Sequence, residues 1–536
     1  MQFDTDNYPY PSQRQVVFGT KGMVATSQPQ AAQAGLDILR RGGNAVDAAV
    51  AAAACLTVTE PTSNGIGSDA FAIVWHQGVP YGLNCSGRSP AAASIDTIRS
   101  FGYEQMPIFG WLPVTVPGAP GAWAELSRRF GRFSLAEVLQ PAADYAREGF
   151  PVAPVTARYW AKAARRYQAE LPEEQYRQWC KVFAPAGRAP RAGETWSSPD
   201  HAASIESIGE SDARSFYQGS LAQQIDEASR ASGGLLRGED LQNFKPEWVE
   251  PVSVTYRGYE VWELPPNTQG IIALMALNIL KVYDLDACSE LERYHLQIEA
   301  MKLAFADGLE YITQPDLMDI SVDALLSGAY AEQRRAGITS RAADPKPGNP
   351  QAGGTVYLAT ADRWGTMVSY IQSNYMGFGS GIVIPSTGIS LQNRGHTFSL
   401  DPAHVNCLEP GKKTFHTIIP GFLTKNREPI GPFGVMGGFM QPQGHLQVIS
   451  GMLDGNLNPQ SALDAPRWQW VEGRKILLEP SVPAEIQQQL IQRGHQIQVE
   501  PDAGAFGRGQ IIWRDPETGV LCGGTEPRTD GMVAVW

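Results

Sequence analysis

The chain has 536 residues, 43% of them hydrophobic and 18% charged, a composition of packed globular proteins that excludes wholesale disorder. Its formal charge of −12 comes without blocks of like charge, and Lys and Arg are scattered, so no nucleic-acid partner is expected. The start MQFDTDNYPYPSQRQ is polar, and the longest apolar run, Ala48–Val58, is about half of a membrane span, so a cytoplasmic chain with no membrane partner is expected.

Length allows one large layered core or two to three smaller domains. Cys55, Cys85, Cys180, Cys288, Cys407 and Cys522 lie far apart with no CxxC, and are expected to be mostly small buried hydrophobes. The eight histidines form no HExxH pair, and no motif calls for a metal or a cofactor.

From Pro29 to Thr59 the pattern predicts two helices broken at Gly42-Gly43, the second so rich in Ala that it reads as fully buried. EPTSNGIG, from Glu60 to Gly67, is turn chemistry, and AFAIVW after it is a strand. Amphipathic helices are predicted over Ser134–Arg147 and Leu291–Ile312, with His295 of the second assigned to packing. Between Ile338 and Gly354 periodicity is lost and Pro, Gly and Ala accumulate, as in an exposed flexible tether. Directly afterwards TVYLATAD and TMVSYIQS flank Arg363-Trp364-Gly365, a hairpin signal that makes Thr355 the first residue of a strand. Short strands and glycine-rich turns follow, then a helix from about Gln441 to Leu453.

A threonine hydroxyl is a weak nucleophile until a base takes its proton, and a Thr with a free α-amino group carries that base itself. Gly353-Gly354-Thr355 offers a cleavage point ahead of a rigid strand, although alone it reads equally as a linker ending in a strand. Six further stretches occur in order with it: GGNAVDAAVAAA (Gly42–Ala53), SNGIGSDAF (Ser63–Phe71), EAMKLAFAD (Glu299–Asp307), MGFGSGI (Met376–Ile382), the pair Gly437-Gly438, and LNPQSALDAPR (Leu457–Arg467). In these motifs and their spacing the chain resembles the γ-glutamyltranspeptidase family of N-terminal-nucleophile hydrolases.

That resemblance implies an α+β fold, a four-layer αββα sandwich, cut between Gly354 and Thr355 into a large chain (1–354) and a small chain (355–536). It implies Thr355 as the nucleophile of self-cleavage and turnover, Ser373 as its hydroxyl support, and the N–H groups of Gly437 and Gly438 as an oxyanion hole. The partners implied are a small-molecule substrate and the two chains of the processed proenzyme, with a dimer of heterodimers left open.

The family's glutamyl clasp is largely missing. Ser86 stands where the family's carboxylate-binding Arg belongs, with Arg88 two residues on as a substitute; Tyr375 replaces its Asn, Thr397 its Asp, and His416 and Thr417 its two serines. An added Arg394 suits a substrate with a carboxylate and no amine, the alternative being a surface salt bridge. Arg394, Tyr375, His416, Thr417 and Arg88 are therefore the candidate substrate contacts. The stretch between Phe398 and Phe415 is about ten residues shorter than the family's lid interval, which suits hydrolysis over transfer. Members lacking lid and clasp include oxamate amidohydrolases of purine degradation and glutaryl or cephalosporin acylases. Conversion of oxamate to oxalate and ammonia is the first expectation, with γ-glutamyl hydrolysis or transfer on glutathione-like substrates, or glutaryl or cephalosporin acylase activity, as the alternatives.

Overall fold

The structure, a computed structural model, describes residues 13–345 and 354–536. The start of the polar N-terminal segment and residues 346–353 of the expected tether lie outside these described residues. No described helix is long and apolar enough to cross a membrane.

Two seven-stranded sheets, every pairing in them antiparallel, carry the architecture. The first runs, in spatial order, Met532–Val535, Gly22–Thr26, Gly354–Asp362, Met367–Tyr375, Asp69–His76, Val79–Cys85 and Glu247–Val249. The second runs Val17–Gly19, Leu521–Thr525, Arg508–Arg514, Glu428–Met436, Gly421–Lys425, Tyr259–Glu263 and Val252–Tyr256. Their inner faces meet in a shared core that includes Phe71, Ile73, Tyr357, Ile371, Phe422, Met436 and Ile512. The expected hairpin thus lies mid-sheet, and the alternation read in TMVSYIQS does not mean one wet face: every residue of Met367–Tyr375 is buried. Helices cover the other side of that sheet, which is why both faces are dry.

Those helices include Pro29–Arg40 and Ala45–Thr59, separated at Gly42, whose φ of +106° suits only glycine. Asn44 caps the second by accepting from the N–H groups of Val46 and Asp47, while Asp47 accepts from the Asn44 N–H, a reciprocal capping box. All residues of Ala45–Thr59 are buried, as the small side chains demanded. Behind the second sheet lie Gly270–Leu280, Glu290–Tyr311 and Met440–Leu453, which pack in a separate apolar cluster with Phe433 and Ile511. The helix predicted over Ser134–Arg147 forms as Leu135–Glu148 with Ser134 as its cap.

One sequence expectation needs correction. Only Cys55 and Cys85 are fully buried; Cys180 on a helix, Cys288 and Cys407 in loops and Cys522 on the strand Leu521–Thr525 are half-buried. All six are free thiols. Tertiary folding also brings His295, Glu299 and His495 together, their ligand atoms within 4.8 Å of one another. The Lys302 ammonium, 2.7 Å from Glu299 Oε1, already supplies a cation to that carboxylate. His295 Nδ1 and His495 Nε2 hydrogen-bond to each other at 2.9 Å.

Candidate active site

Thr355 follows Gly354 at the start of a strand in the first sheet, buried between its neighbours. A register irregularity between Gly354 and Val356 opens the pairing with the adjacent strand here, as β-bulges do beside functional groups. Thr355 Oγ1 donates to Ser373 Oγ at 3.0 Å, and Ser373 Oγ also accepts the Tyr375 N–H at 2.8 Å. Tyr375 makes the second bond from a left-handed backbone, φ +74°, a conformation that a bulky residue holds only when its surroundings enforce it.

At the end of strand Glu428–Met436 the chain turns through Gly437 (φ +138°) and Gly438 (φ +60°) into helix Met440–Leu453. Two glutamines hold this turn. Gln269 Nε2 donates to the carbonyls of Gly438 (2.8 Å) and Thr417 (2.5 Å). Gln441, in the first turn of the helix, accepts the Ile419 N–H at 2.9 Å through Oε1 and places Nε2 3.5 Å from Thr355 Oγ1. Thr355, Ser373 and the glycine turn are thereby gathered by bonds from three separate stretches of chain.

Arg394 is buried to 1% exposure, and its expected alternative as a surface salt bridge does not hold. Nη1 donates to Thr417 Oγ1 at 2.8 Å, the Tyr375 ring lies 4.4 Å from the guanidinium carbon, and Nε is 3.8 Å from Asp69 Oδ2. Nη2 has no acceptor among the described residues. Burial drags this guanidinium down to about 10, with Asp69 and Tyr375 opposing the shift, so it stays charged at neutral pH. The same burial, with the nearby Arg394 and Lys413 charges, holds the His416 imidazole well below its ordinary value. Neutral His416 donates from Nε2 to Asp69 Oδ2 at 3.0 Å. Burial lifts Asp69 itself to about 7 against the pull of Arg394, the Gly87 N–H and Lys413.

Four of the five candidate substrate contacts, Arg394, Tyr375, His416 and Thr417, therefore form one linked group. Arg88 does not join it. Its guanidinium is half-exposed, bonded to Gln314, the Gly411 carbonyl and Glu247. Ser86 and Asn84 instead pair inward with Asn267. Thr397 bonds Thr414 and the Phe415 carbonyl. The shortened stretch after Phe398 packs Phe398, Leu400 and Leu408 together and borders a cavity of about 630 Å³ lined by Tyr375, Thr397, Phe415 and Phe439.

Sequence reading missed Asp69, Gln269 and Gln441. Asp69 had a usable signal, since an acid opening a wholly apolar strand must find a partner. The glutamines had none, because only folding places them against the turn.

The chain shares features with well-described proteins over nearly its whole length. The Gamma-glutamyltranspeptidase family model matches residues 31–536. A Glutathione hydrolase-like YwrD proenzyme of Bacillus subtilis is 39% identical over 533 residues, covering 96% of this chain and 99% of that protein. An Oxamate amidohydrolase proenzyme of Klebsiella pneumoniae is 34% identical, covering 96% and 98%. The crystal structure of a cephalosporin acylase from Bacillus halodurans superposes with a TM-score of 0.97 at 60% identity, covering 100% of this chain and 99% of that one. Ordered motifs, two stacked sheets with a threonine at the head of a central strand, and this whole-length likeness agree: the chain is an enzyme of the γ-glutamyltranspeptidase family.

Proposed function

We propose that this enzyme is a self-processing amidohydrolase, on a four-layer αββα frame, that hydrolyses amides whose acyl group carries a carboxylate. The single observation behind the substrate class is Arg394, a buried cation with Nη2 unpaired among the described residues. An unfilled donor on a buried guanidinium costs about 1–3 kcal/mol even with Asp69 3.8 Å from Nε, and a bound carboxylate would supply the missing acceptor. Thr417, Tyr375 and His416 shape the same corner. No acid faces it except Asp69, which is already engaged by His416, so a substrate ammonium finds little to pair with.

In maturation, Thr355 Oγ adds to the Gly354 carbonyl carbon, the C–N bond breaks, and the hydroxyl proton ends on the Thr355 nitrogen. Water then opens the resulting ester, releasing chains 1–354 and 355–536; relatives named as proenzymes support this reading. In turnover the freed α-amino group takes the Thr355 hydroxyl proton, Oγ attacks the substrate amide, and the N–H groups of Gly437 and Gly438 hold the oxyanion. The amino group returns the proton to the departing amine, and water releases the acid product. Ser373 keeps Oγ oriented throughout.

Within this class, likeness to the cephalosporin acylase favours a side-chain amide such as a glutaryl amide over the oxamate first expected from sequence. Oxamate remains the smallest member of the class. Release of amine from a glutaryl anilide, oxamate, a γ-glutamyl anilide and an uncharged butyryl anilide separates the readings. Turnover of the two ammonium-free carboxylates above the other two is expected; preference for the butyryl or the γ-glutamyl substrate would refute the role given to Arg394.

A further inference from the structure

We infer that Gln441 is a catalytic residue: its side-chain N–H stabilises Thr355 Oγ when that oxygen leaves in the hydrolysis of the ester. The inference rests on Thr355 as the nucleophile. Gln441 is fully buried, and its amide orientation is not arbitrary. Oε1 accepts the Ile419 N–H at 2.9 Å, so the NH2 end is the one turned to Thr355 Oγ1, 3.5 Å away at the outer limit of a hydrogen bond. The Gln441 N–H bonds the Gly438 carbonyl at 3.2 Å, which fixes the residue to the glycine turn. Helix Met440–Leu453 begins here, so Gln441 lies in its first turn.

Thr355 Oγ1 has two bonds with different consequences. Its own proton points to Ser373 Oγ, and Gln441 Nε2–H approaches a lone pair. During attack that oxygen is becoming an ester oxygen and gains little from a donor. During ester hydrolysis the order reverses: water adds to the carbonyl carbon, the C–Oγ bond breaks, and its electron pair stays on Oγ. The Thr355 amino group takes a proton from the water and returns it to Oγ. Negative charge on Oγ peaks as the bond breaks, and a preorganised donor there lowers that barrier selectively.

Maturation tests this without knowledge of the substrate, since its intermediate is a Gly354–Thr355 ester. Splitting of freshly made full-length chain is followed on denaturing gels for the native sequence, Thr355→Ala, Gln441→Met and Gln441→Glu. Gln441→Met removes the donor at nearly constant volume; Gln441→Glu, in alkaline buffer, keeps an acceptor for the Ile419 N–H but has no donor. Both variants are expected to split on the order of 10- to 100-fold more slowly. Neutral hydroxylamine should then release both chains rapidly, leaving a hydroxamate on Gly354 that mass spectrometry detects. Splitting at the native rate overturns the inference, as does slow splitting that hydroxylamine does not relieve while the melting temperature is native. Should Gln441→Met lose its melting transition, the Gln441→Glu arm decides. Splitting of Thr355→Ala would bring down the nucleophile assignment and this inference together, whereas the outcomes above with an inert Thr355→Ala concern Gln441 alone.

Discussion

At the scale of single residues, the proposed selectivity for a carboxylate is tested at the Arg394–Asp69–His416 group. Arg394→Ala is expected to lower kcat/KM for a carboxylate-bearing amide on the order of 10- to 100-fold, about 1.5–3 kcal/mol, while leaving an uncharged acyl substrate nearly unaffected. Steady-state kinetics on the two substrates check this, and equal losses would point to a folding defect. Asp69 adds a pH dependence. Burial raises it to about 7, with Arg394, the Gly87 N–H and Lys413 pulling the other way and the neutral His416 facing it. Below that value Asp69 takes up a proton and stops competing for Arg394, so KM for the carboxylate should fall as the buffer moves from about pH 8 to about pH 6. Asp69→Asn should flatten that profile. The linkage to stability has a definite sign as well. Because the folded value lies above the unfolded 3.8, this group's contribution is present below 3.8 and lost as pH rises through about 7.

At the scale of elements, the active site depends on how the strand bearing Thr355 is seated between the sheets. Tyr357, two residues along that strand, is fully buried and bonds Ser369 through its hydroxyl at 2.8 Å. Gly434 of the facing sheet lies directly against its ring; a Cβ there would come within 2.5 Å of Tyr357 Cε2. Gly434→Ala is accordingly expected to cost about 1–3 kcal/mol by overpacking. Chemical denaturation measures the loss. Slower self-cleavage on a denaturing gel would accompany it, since the ring can yield only by moving the strand that carries the nucleophile. An unchanged midpoint would mean that the two sheets tolerate slippage here.

At the scale of the whole molecule, each sheet is woven from both sides of the Gly354–Thr355 bond. The first takes Gly22–Thr26, Asp69–His76, Val79–Cys85 and Glu247–Val249 from before that bond and Met367–Tyr375 and Met532–Val535 from after it. The second mixes Tyr259–Glu263 with Gly421–Lys425 in adjacent positions. The proposed cleavage would therefore leave products that cannot part without tearing both ladders. Cut enzyme should elute from a sizing column as one species containing both chains, which part only in denaturant. Dissociation in plain buffer would contradict this interleaving.

The chemistry of single stretches was legible in the sequence: helix breaks at Gly42, a buried Ala-rich helix, a hairpin around Trp364, and a threonine placed after two glycines. These follow from local periodicity and turn chemistry, which act over a few residues. Motif order further pointed to Thr355, Ser373, Gly437 and Gly438 as a group. Long-range placement was not legible. Nothing near Arg394 in sequence told whether it faced water or Asp69, and Arg88, as plausible a cation by spacing, ends on the surface beside Glu247. Gln441 and Gln269 look like ordinary helix and loop residues until the sheets stack. Sequence by itself thus determined the elements, the family, and Thr355 as the residue to propose as nucleophile. Only the tertiary structure decided which charges are buried together, because burial and pairing arise from contacts between segments hundreds of residues apart.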